Sequence, residues 1–214
     1  MRKIILGIII LALLSVGAVY GYREYQDKST AAGPIKSLIK LTSISIAKSV
    51  EEELTPSNIS HDEYFRRSDT AIAEIDRKIA ELRGANLPED RLALDYMTNG
   101  QTIIRQLASI KRAKWTAKSA YDKSTQAAQA MKGTTDPNIA EKESATVQAS
   151  VAEAKVEIEK ARTGYVALLS LNDQLKARTP EIAARFGADA IVDNALIENL
   201  SKSSAKIIAG LTKK

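Results

Sequence analysis

The sequence predicts an all-α protein, in which an N-terminal transmembrane helix precedes an elongated antiparallel helical bundle. The bundle is expected to be four-helix-like and built on a long αα-hairpin. Three observations support this fold class: an uncharged apolar run at residues 4–22, two long segments of coiled-coil periodicity within residues 92–175, and shorter apolar-periodic segments on either side. The expected divisions are a membrane segment at 1–22, a linker at 23–33 and a helical-bundle domain at 34–214.

The apolar run follows Arg2 and Lys3 and has about the ~20 residues needed to cross a bilayer. It is either an uncleaved anchor or a secretory signal cut after residues 16–18. The anchor is favoured because the run continues past that site, where Tyr20 and Tyr22 resemble an interfacial aromatic belt. We therefore expect a single-pass protein of the inner (cytoplasmic) membrane with its N-terminus in the cytoplasm and its body in the periplasm. The alternative is a secreted or periplasmic protein after cleavage.

Composition argues against most catalytic chemistry. Cysteine is absent, which excludes disulfides, thiolate metal sites and cysteine nucleophiles. The one histidine, His61, follows Ser60 at a helix start, where a capping role explains it better than a metal site. Without a second histidine or a Gly-rich phosphate loop, the chain is expected to be non-enzymatic, with no metal and no cofactor.

The central prediction is the hairpin. Its two arms carry apolar residues at alternating three- and four-residue steps, the pattern of a coiled-coil seam. A short connection at residues 132–137, containing Gly133 and Pro137, makes them antiparallel arms of about 60 Å each. The seam residues are Tyr96, Ile103, Leu107, Ile110, Ala117, Tyr121, Ala128 and Met131 in the first arm, and Val147, Val151, Ala154, Ile158, Ala161, Tyr165, Leu168 and Leu175 in the second.

Helix start and stop signals divide the remainder. A proline opens the helix that follows the linker, a capping box at Ser60 and Glu63 opens the next, and Gly84 ends it. The second arm is expected to end near Arg178, before a short separate piece that begins at Thr179-Pro180. The expected helices are 34–54, 60–84, 88–132, 137–178 and 188–210. Laid along the hairpin, the three shorter ones bury its remaining apolar faces.

Candidate interaction or ligand-binding residues lie mainly in a positive run of the first arm. The run contains no acid and could contact a polyanion. Folding the hairpin about Thr134 brings Lys111 near Glu157 and Lys114 near Glu153, so pairing within the chain is the favoured explanation. The candidate residues are Arg105, Lys111, Arg112, Lys114, Trp115 and Lys118 of this run, together with the seam tyrosines Tyr96, Tyr121 and Tyr165.

Asn172 interrupts the seam of the second arm. A polar seam residue can fix helix register or partner number at a cost in stability, so Asn172 is a candidate for setting the register. The alternative is that it lies where a neighbouring helix leaves room for solvent. Alanine is frequent on both seams, which permits close helix approach. Close approach suits either a tight bundle or association between copies.

The leading hypothesis is a non-enzymatic, membrane-anchored, extracytoplasmic helical bundle that acts as a structural or protein-interaction module. Its expected partners are the membrane and either another protein or a second copy. One alternative is a sensor-like bundle that binds a small molecule between helices near the aromatic residues. The other is a membrane-active protein that uses its basic amphipathic C-terminal helix. Nucleic acid is not an expected partner, because the net charge of +5 is modest and the body is exported.

Overall fold

The computed structural model describes residues 33–55, 60–84 and 91–212. Within these ranges the chain forms α-helices and no strand, which confirms the predicted all-α class. The helices are α1 at residues 33–54, α2 at His61–Gly84, α3 at Arg91–Gly133, α4 at Pro137–Phe186 and α5 at Asn194–Thr212, with a 3₁₀ turn at Ala188–Ala190. None of these helices is both long and apolar enough to span a membrane. The expected membrane segment at 1–22, its cleavage site and nearly all of the linker lie outside the described residues.

Helices α3 and α4 form the antiparallel hairpin that the seams predict. They contain 43 and 50 residues, which correspond to lengths of about 65 and 75 Å at ~1.5 Å per residue. The connection is short because α4 begins at Pro137, four residues after α3 ends. Asp136 is its N-cap, since the Asp136 side chain accepts a hydrogen bond from the Asn138 N–H at 2.9 Å, and Pro137 occupies the first turn.

The prediction that the second arm ends near Arg178 was wrong, because α4 continues through Pro180 to Phe186. Proline cannot donate the usual backbone hydrogen bond, so the helix must gain stability elsewhere. Thr179 and Ile182 are buried on either side of the proline, and Phe186 joins the same core. Burial of these side chains offsets the missing hydrogen bond.

Helix α1 runs in the same direction as α3 and crosses it closely. The Ser43 Oγ lies 2.8 Å from the hydroxyl oxygen of Tyr96. One turn further on, Gly100 faces Thr42 and Ile46, and a Cβ on this glycine would lie 2.5 Å from the Thr42 Cγ2. The missing side chain therefore permits the close contact between the two helices.

Helices α2 and α5 cover other sides of the hairpin. At the start of α2 the His61 ring stacks on Trp115 of α3, with ring centroids 4.1 Å apart. Further along α2, Asp76 accepts a hydrogen bond from the Gln101 side chain at 2.8 Å, so α2 runs antiparallel to α3. Helix α5 runs antiparallel to α4, and its Glu198 lies 3.5 Å from the ammonium group of Lys176. We call the region covered by α1, α2 and α5 the body.

Within the part of the chain that the structure describes, the hairpin extends past α1, α2 and α5 as an arm, defined as residues 118–157. Only His61, at the start of α2, borders a cavity that reaches Gln126 of the arm. On the α3 side the arm continues for about 24 Å, from Lys118 to Gly133. Its buried side chains are small: Ala120, Ser124 and Ala127 of α3, and Ser150 and Ala154 of α4.

The predicted seam is therefore wrong for part of the arm, because Tyr121 is 67% exposed and Val151 is 37% exposed. The alanine and serine side chains allow the helices to approach closely along a neighbouring stripe. That approach leaves the larger seam residues at the edge of the contact.

Candidate functional site

The predicted candidate residues do not form one surface. Tyr96 is wholly buried, where its hydroxyl accepts a hydrogen bond from the Val192 N–H at 3.1 Å. It belongs to the core and is not a surface residue. Tyr165 is also buried, whereas Tyr121 lies exposed on the arm. The periodicity of the seam could not predict which of these three tyrosines is buried, because burial depends on whether another helix packs over the hairpin at that point.

The basic run of α3 is paired within the chain, as expected, but with different partners. Lys111 donates a hydrogen bond to the Glu52 carbonyl at 3.0 Å, and Lys114 donates one to Glu53 at 2.8 Å. The predicted partners Glu157 and Glu153 were wrong, because the acidic end of α1 lies over this part of α3. The hairpin alone could not reveal that contact.

Two more basic side chains of the run contact α2. The Arg112 guanidinium lies over the Phe65 ring, 4.6 Å from its centroid, and Arg105 lies 3.4 Å from the Asp76 carboxylate. Lys118 differs from them, since it is exposed and has no ion-pair partner among the described residues. The run is thus mostly an internal contact surface, and its last lysine faces solvent on the arm.

One side chain from each of four helices meets in a buried polar group, which we call the Glu53 cluster: Glu53 of α1, Tyr64 of α2, Lys114 of α3 and Tyr165 of α4. The Glu53 side chain is only 4% exposed. Its Oε1 accepts hydrogen bonds from the Tyr165 hydroxyl at 2.6 Å and from the Lys114 ammonium at 2.8 Å. Its Oε2 and the Tyr64 hydroxyl are buried and have no hydrogen-bond partner among the described residues.

The environment of the cluster keeps its tyrosines protonated. Burial raises the pKa of Tyr165 above the usual range of a phenol, and the charge of Glu53 raises it further. Burial likewise raises the pKa of Tyr64, with contributions from Glu53 and Glu52. A protonated Tyr165 is therefore fixed as a hydrogen-bond donor to the Glu53 carboxylate. The arrangement neutralises a buried charge.

Sequence reasoning identified Lys114 and Tyr165 but missed Glu53 and Tyr64. By sequence alone, the run Glu51-Glu52-Glu53 at the end of a helix is typical of a solvated charge cluster. One signal was present, because three acids at a helix C-terminus are unfavourable with the helix dipole unless cations lie nearby. The basic run of α3 supplies those cations.

A half-open cavity of about 390 Å³ lies beside the cluster. Its walls come from three helices: Lys114 and Ala117 of α3, Ile158, Ala161 and Tyr165 of α4, and Ile207 and Leu211 of α5. All these side chains except Lys114 are mainly apolar. The last turns of α5 therefore close only part of the groove between α3 and α4.

The same groove continues along the arm beyond α5. Residues seven positions apart lie on the same side of a helix, because seven residues make about two turns. Tyr121 therefore lies on the same side of α3 as Lys114, and Val151 lies on the same side of α4 as Ile158, both toward the groove. Lys118 lies one turn beyond Lys114 and Lys155 one turn before Ile158, so the helical repeat places both at the edges of the groove. Both are exposed, and Lys118 also lines a second cavity with His61 and Trp115. We call these four arm positions, Lys118, Tyr121, Val151 and Lys155, the arm groove.

Asn172 is fully buried, and its side-chain amide donates a hydrogen bond to the Ser201 hydroxyl of α5 at 3.0 Å. Its Oδ1 has no partner among the described residues. The contact joins α4 to α5 and not the two arms to each other. A register-setting role, which stays a prediction, would therefore concern the position of α5.

No group of three or more His, Asp or Glu side chains suited to a metal ion occurs within residues 33–55, 60–84 and 91–212. Comparison of the chain with protein-family models, curated proteins and solved structures finds no match. Its function must therefore be argued from the geometry described above.

Proposed function

We propose that this protein is a non-enzymatic interaction module, tethered in the inner membrane by residues 1–22, with its helical body and arm outside the cytoplasm. The observation that carries the proposal is the arm. Two helices continue past the described parts of α1, α2 and α5 and expose Tyr121 and Val151 on one side. Exposed apolar side chains on an extended element are typical of a protein-contact surface.

The direction of the chain supports this orientation. Lys36, near the start of α1, donates a hydrogen bond to Asp189 at 2.8 Å, just beyond the C-terminal end of α4. The turn between α3 and α4 lies at the other end of α4, about 75 Å away along the 50-residue helix. A tether that precedes α1 would therefore leave the arm pointing away from the membrane.

The polar groups of the body support a non-enzymatic role. The Glu53 carboxylate already accepts hydrogen bonds from Lys114 and Tyr165, and the single histidine, His61, stacks on Trp115. These contacts hold α1 and α2 against the hairpin. A structural role explains them without a substrate.

The cavity beside Tyr165 favours one alternative, a sensor-like bundle that binds a small molecule. Its volume of about 390 Å³ lies within the range of ligand pockets, roughly 300–1,000 Å³. The membrane-active alternative has less support, because Ile197 and Leu200 of α5 are already buried in the core. Helix α5 would have to leave α4 before its apolar side could contact a lipid surface.

Removal of the arm tests the proposed function. Replacing residues 119–156 with a short Gly-Ser linker should leave a folded, cooperatively unfolding body, because the large buried side chains lie outside the arm. Crosslinking in native membranes should then lose the partner adducts of the full chain. Retention of those adducts would contradict an arm-based role and favour the body as the binding region. Release of the full chain by an alkaline carbonate wash would contradict the tether.

A further inference from the structure

We propose that the arm groove binds an acidic amphipathic helix of another protein, positioned as a continuation of α5 along the hairpin. This inference rests on the proposed function of the arm and names the chemistry of its partner. Three features of the groove carry it: its continuity with the α5 contact, its length and its charged edges.

The first feature is continuity. Helix α5 lies along the hairpin, where Ile207 and Leu211 approach Ala117, Ile158 and Ala161. Helix α5 is described as far as Thr212, and the groove continues past that level. The fold thus already uses the lower part of this groove to hold an amphipathic helix. The upper part has the same two walls, α3 and α4.

The second feature is length. On the α4 wall, apolar or small residues recur on the groove side beyond Ile158, at Val151, Val147 and Ala140, and all are exposed or half-buried. Val151 and Ala140 are 11 residues apart, which is about 16 Å along the helix. Such a shallow stripe matches about three turns of a helix. A small molecule would cover only one end of it.

The third feature is charge. The side chain of Asn99 donates a hydrogen bond to the Leu171 carbonyl at 3.3 Å, and counting along both helices from this pair puts Lys118 and Lys155 within about one helical turn of the same level. Both lysines are exposed, and neither has an ion-pair partner among the described residues. Glutamate or aspartate side chains on a bound helix would complement both edges. Two copies meeting through this groove would instead bring four lysines together, which disfavours self-association here.

Site-specific photo-crosslinking of the full chain in native membranes tests this assignment. Tyr121→benzoylphenylalanine places the probe in the groove, and the exposed position of Tyr121 should tolerate it. Val156→benzoylphenylalanine is the matched control, since Val156 is 55% exposed and lines the groove on the other side of the hairpin. We expect an adduct from position 121 whose crosslinked segment has a helical apolar repeat and excess acidic residues.

Charge reversal provides the second readout. Lys118→Glu combined with Lys155→Glu should lower the adduct yield about tenfold, because it replaces two weak attractions by repulsions. Lys123→Glu combined with Lys142→Glu makes the same change in net charge at two exposed arm lysines away from the groove, and should lower the yield less than about twofold.

Each other outcome counts against the proposal in a defined way. An adduct to a second copy, to another part of the same chain, to lipid or to a basic segment would overturn the acidic-helix assignment. An adduct from position 156 without one from position 121 would overturn the groove but leave the arm as a contact element. Absence of adducts from both positions would contradict the proposed function as well.

Discussion

Glu53 is a carboxylate that the fold buries beside two tyrosines and a lysine. A buried charge is costly unless it is paired and hydrogen-bonded, and here Lys114 and Tyr165 meet that requirement. The hydrogen bond from Tyr165 joins positions 112 residues apart, and thereby links the end of α1 to the middle of α4. Loss of the phenol hydroxyl would leave the carboxylate with fewer donors.

The buried tyrosines predict loss of stability at alkaline pH. Burial raises the pKa of Tyr64, Tyr96 and Tyr165, whereas an unfolded tyrosine titrates near pH ~10. Their stabilising contribution is fully present below about pH 10 and is lost as the pH rises from there toward the folded-state pKa. The free energy of unfolding should then fall by up to about 1.4 kcal/mol per pH unit for each such tyrosine.

Urea unfolding at a series of pH values measures this effect. Tyr165→Phe should lower the free energy of unfolding at neutral pH by about 1.5–3 kcal/mol, the range for a hydrogen bond to a charged group. Above pH ~10 it should also reduce the slope of the free energy of unfolding against pH by the equivalent of about one proton. Tyr121→Phe is the control, because Tyr121 is exposed on the arm, and it should preserve both values. Equal slopes for the parent and Tyr165→Phe would refute the role assigned to Tyr165.

At this scale the sequence could identify residues but not their neighbours. Lys114 and Tyr165 stood out because a lysine and a tyrosine occupied seam positions. Glu53 and Tyr64 did not, since their partners lie on other helices and no local spacing records such contacts. Asn172 stood out as a polar residue on the seam, but its partner Ser201 is on α5 and not on the facing arm.

Among the helices, the crossing of α1 and α3 depends most clearly on a single position. Gly100 is a poor helix former, yet it lies inside α3, about three turns from its start, where Thr42 and Ile46 press against its backbone. Thr42 has little freedom to move, because it is β-branched and its hydroxyl donates to the Leu38 carbonyl at 3.0 Å. The close crossing therefore requires a residue without a side chain.

We expect Gly100→Ala to lower the free energy of unfolding by about 1–3 kcal/mol, because the new methyl group must displace α1. The gain in helix propensity, up to about 1 kcal/mol, is smaller than this cost. Gly210→Ala in α5 is the control, since a Cβ there meets no atom within 4 Å, and it should be neutral or slightly stabilising. Thermal or urea unfolding followed by circular dichroism compares the two, and a Gly100→Ala protein at least as stable as the parent would contradict the assignment.

The helices themselves were well predicted, because periodicity, capping residues and glycines act locally. The hairpin, its turn and the three shorter helices follow from such signals, although α5 begins at Asn194 and not at residue 188 as predicted. The end of α4 did not, because burial of Ile182 and Phe186 outweighs the local effect of Pro180. The arm seam was also misassigned, since the heptad pattern marks the large residues while the alanines and serines form the close contact.

The molecule as a whole combines a body with a long projection, and its overall dimensions should reflect this. Small-angle X-ray scattering from residues 34–214 should give a maximum dimension of at least about 75 Å, the length of α4. The radius of gyration should lie well above the ~16 Å of a compact domain of that size. Excision of residues 119–156 should bring it close to the compact value. A value near ~16 Å for the intact fragment would contradict a projecting arm.

The distance by which the hairpin extends beyond the other helices could not be predicted from the sequence. Their lengths were clear from the pattern, but their levels along the hairpin depend on individual contacts. The Ser43–Tyr96 pair positions α1, and the His61–Trp115 stack positions the start of α2. Neither pair leaves a trace in hydrophobic periodicity, so the arm became visible only in three dimensions.

The alanine and serine contact inside the arm affects how it responds to load. Each small side chain buries little apolar surface, so the two helices of the arm hold together weakly compared with the leucine- and isoleucine-rich core of the body. A force applied at the turn of the hairpin would separate the two helices of the arm before it disturbed the body. The projection can thus yield mechanically while the fold that supports it stays closed.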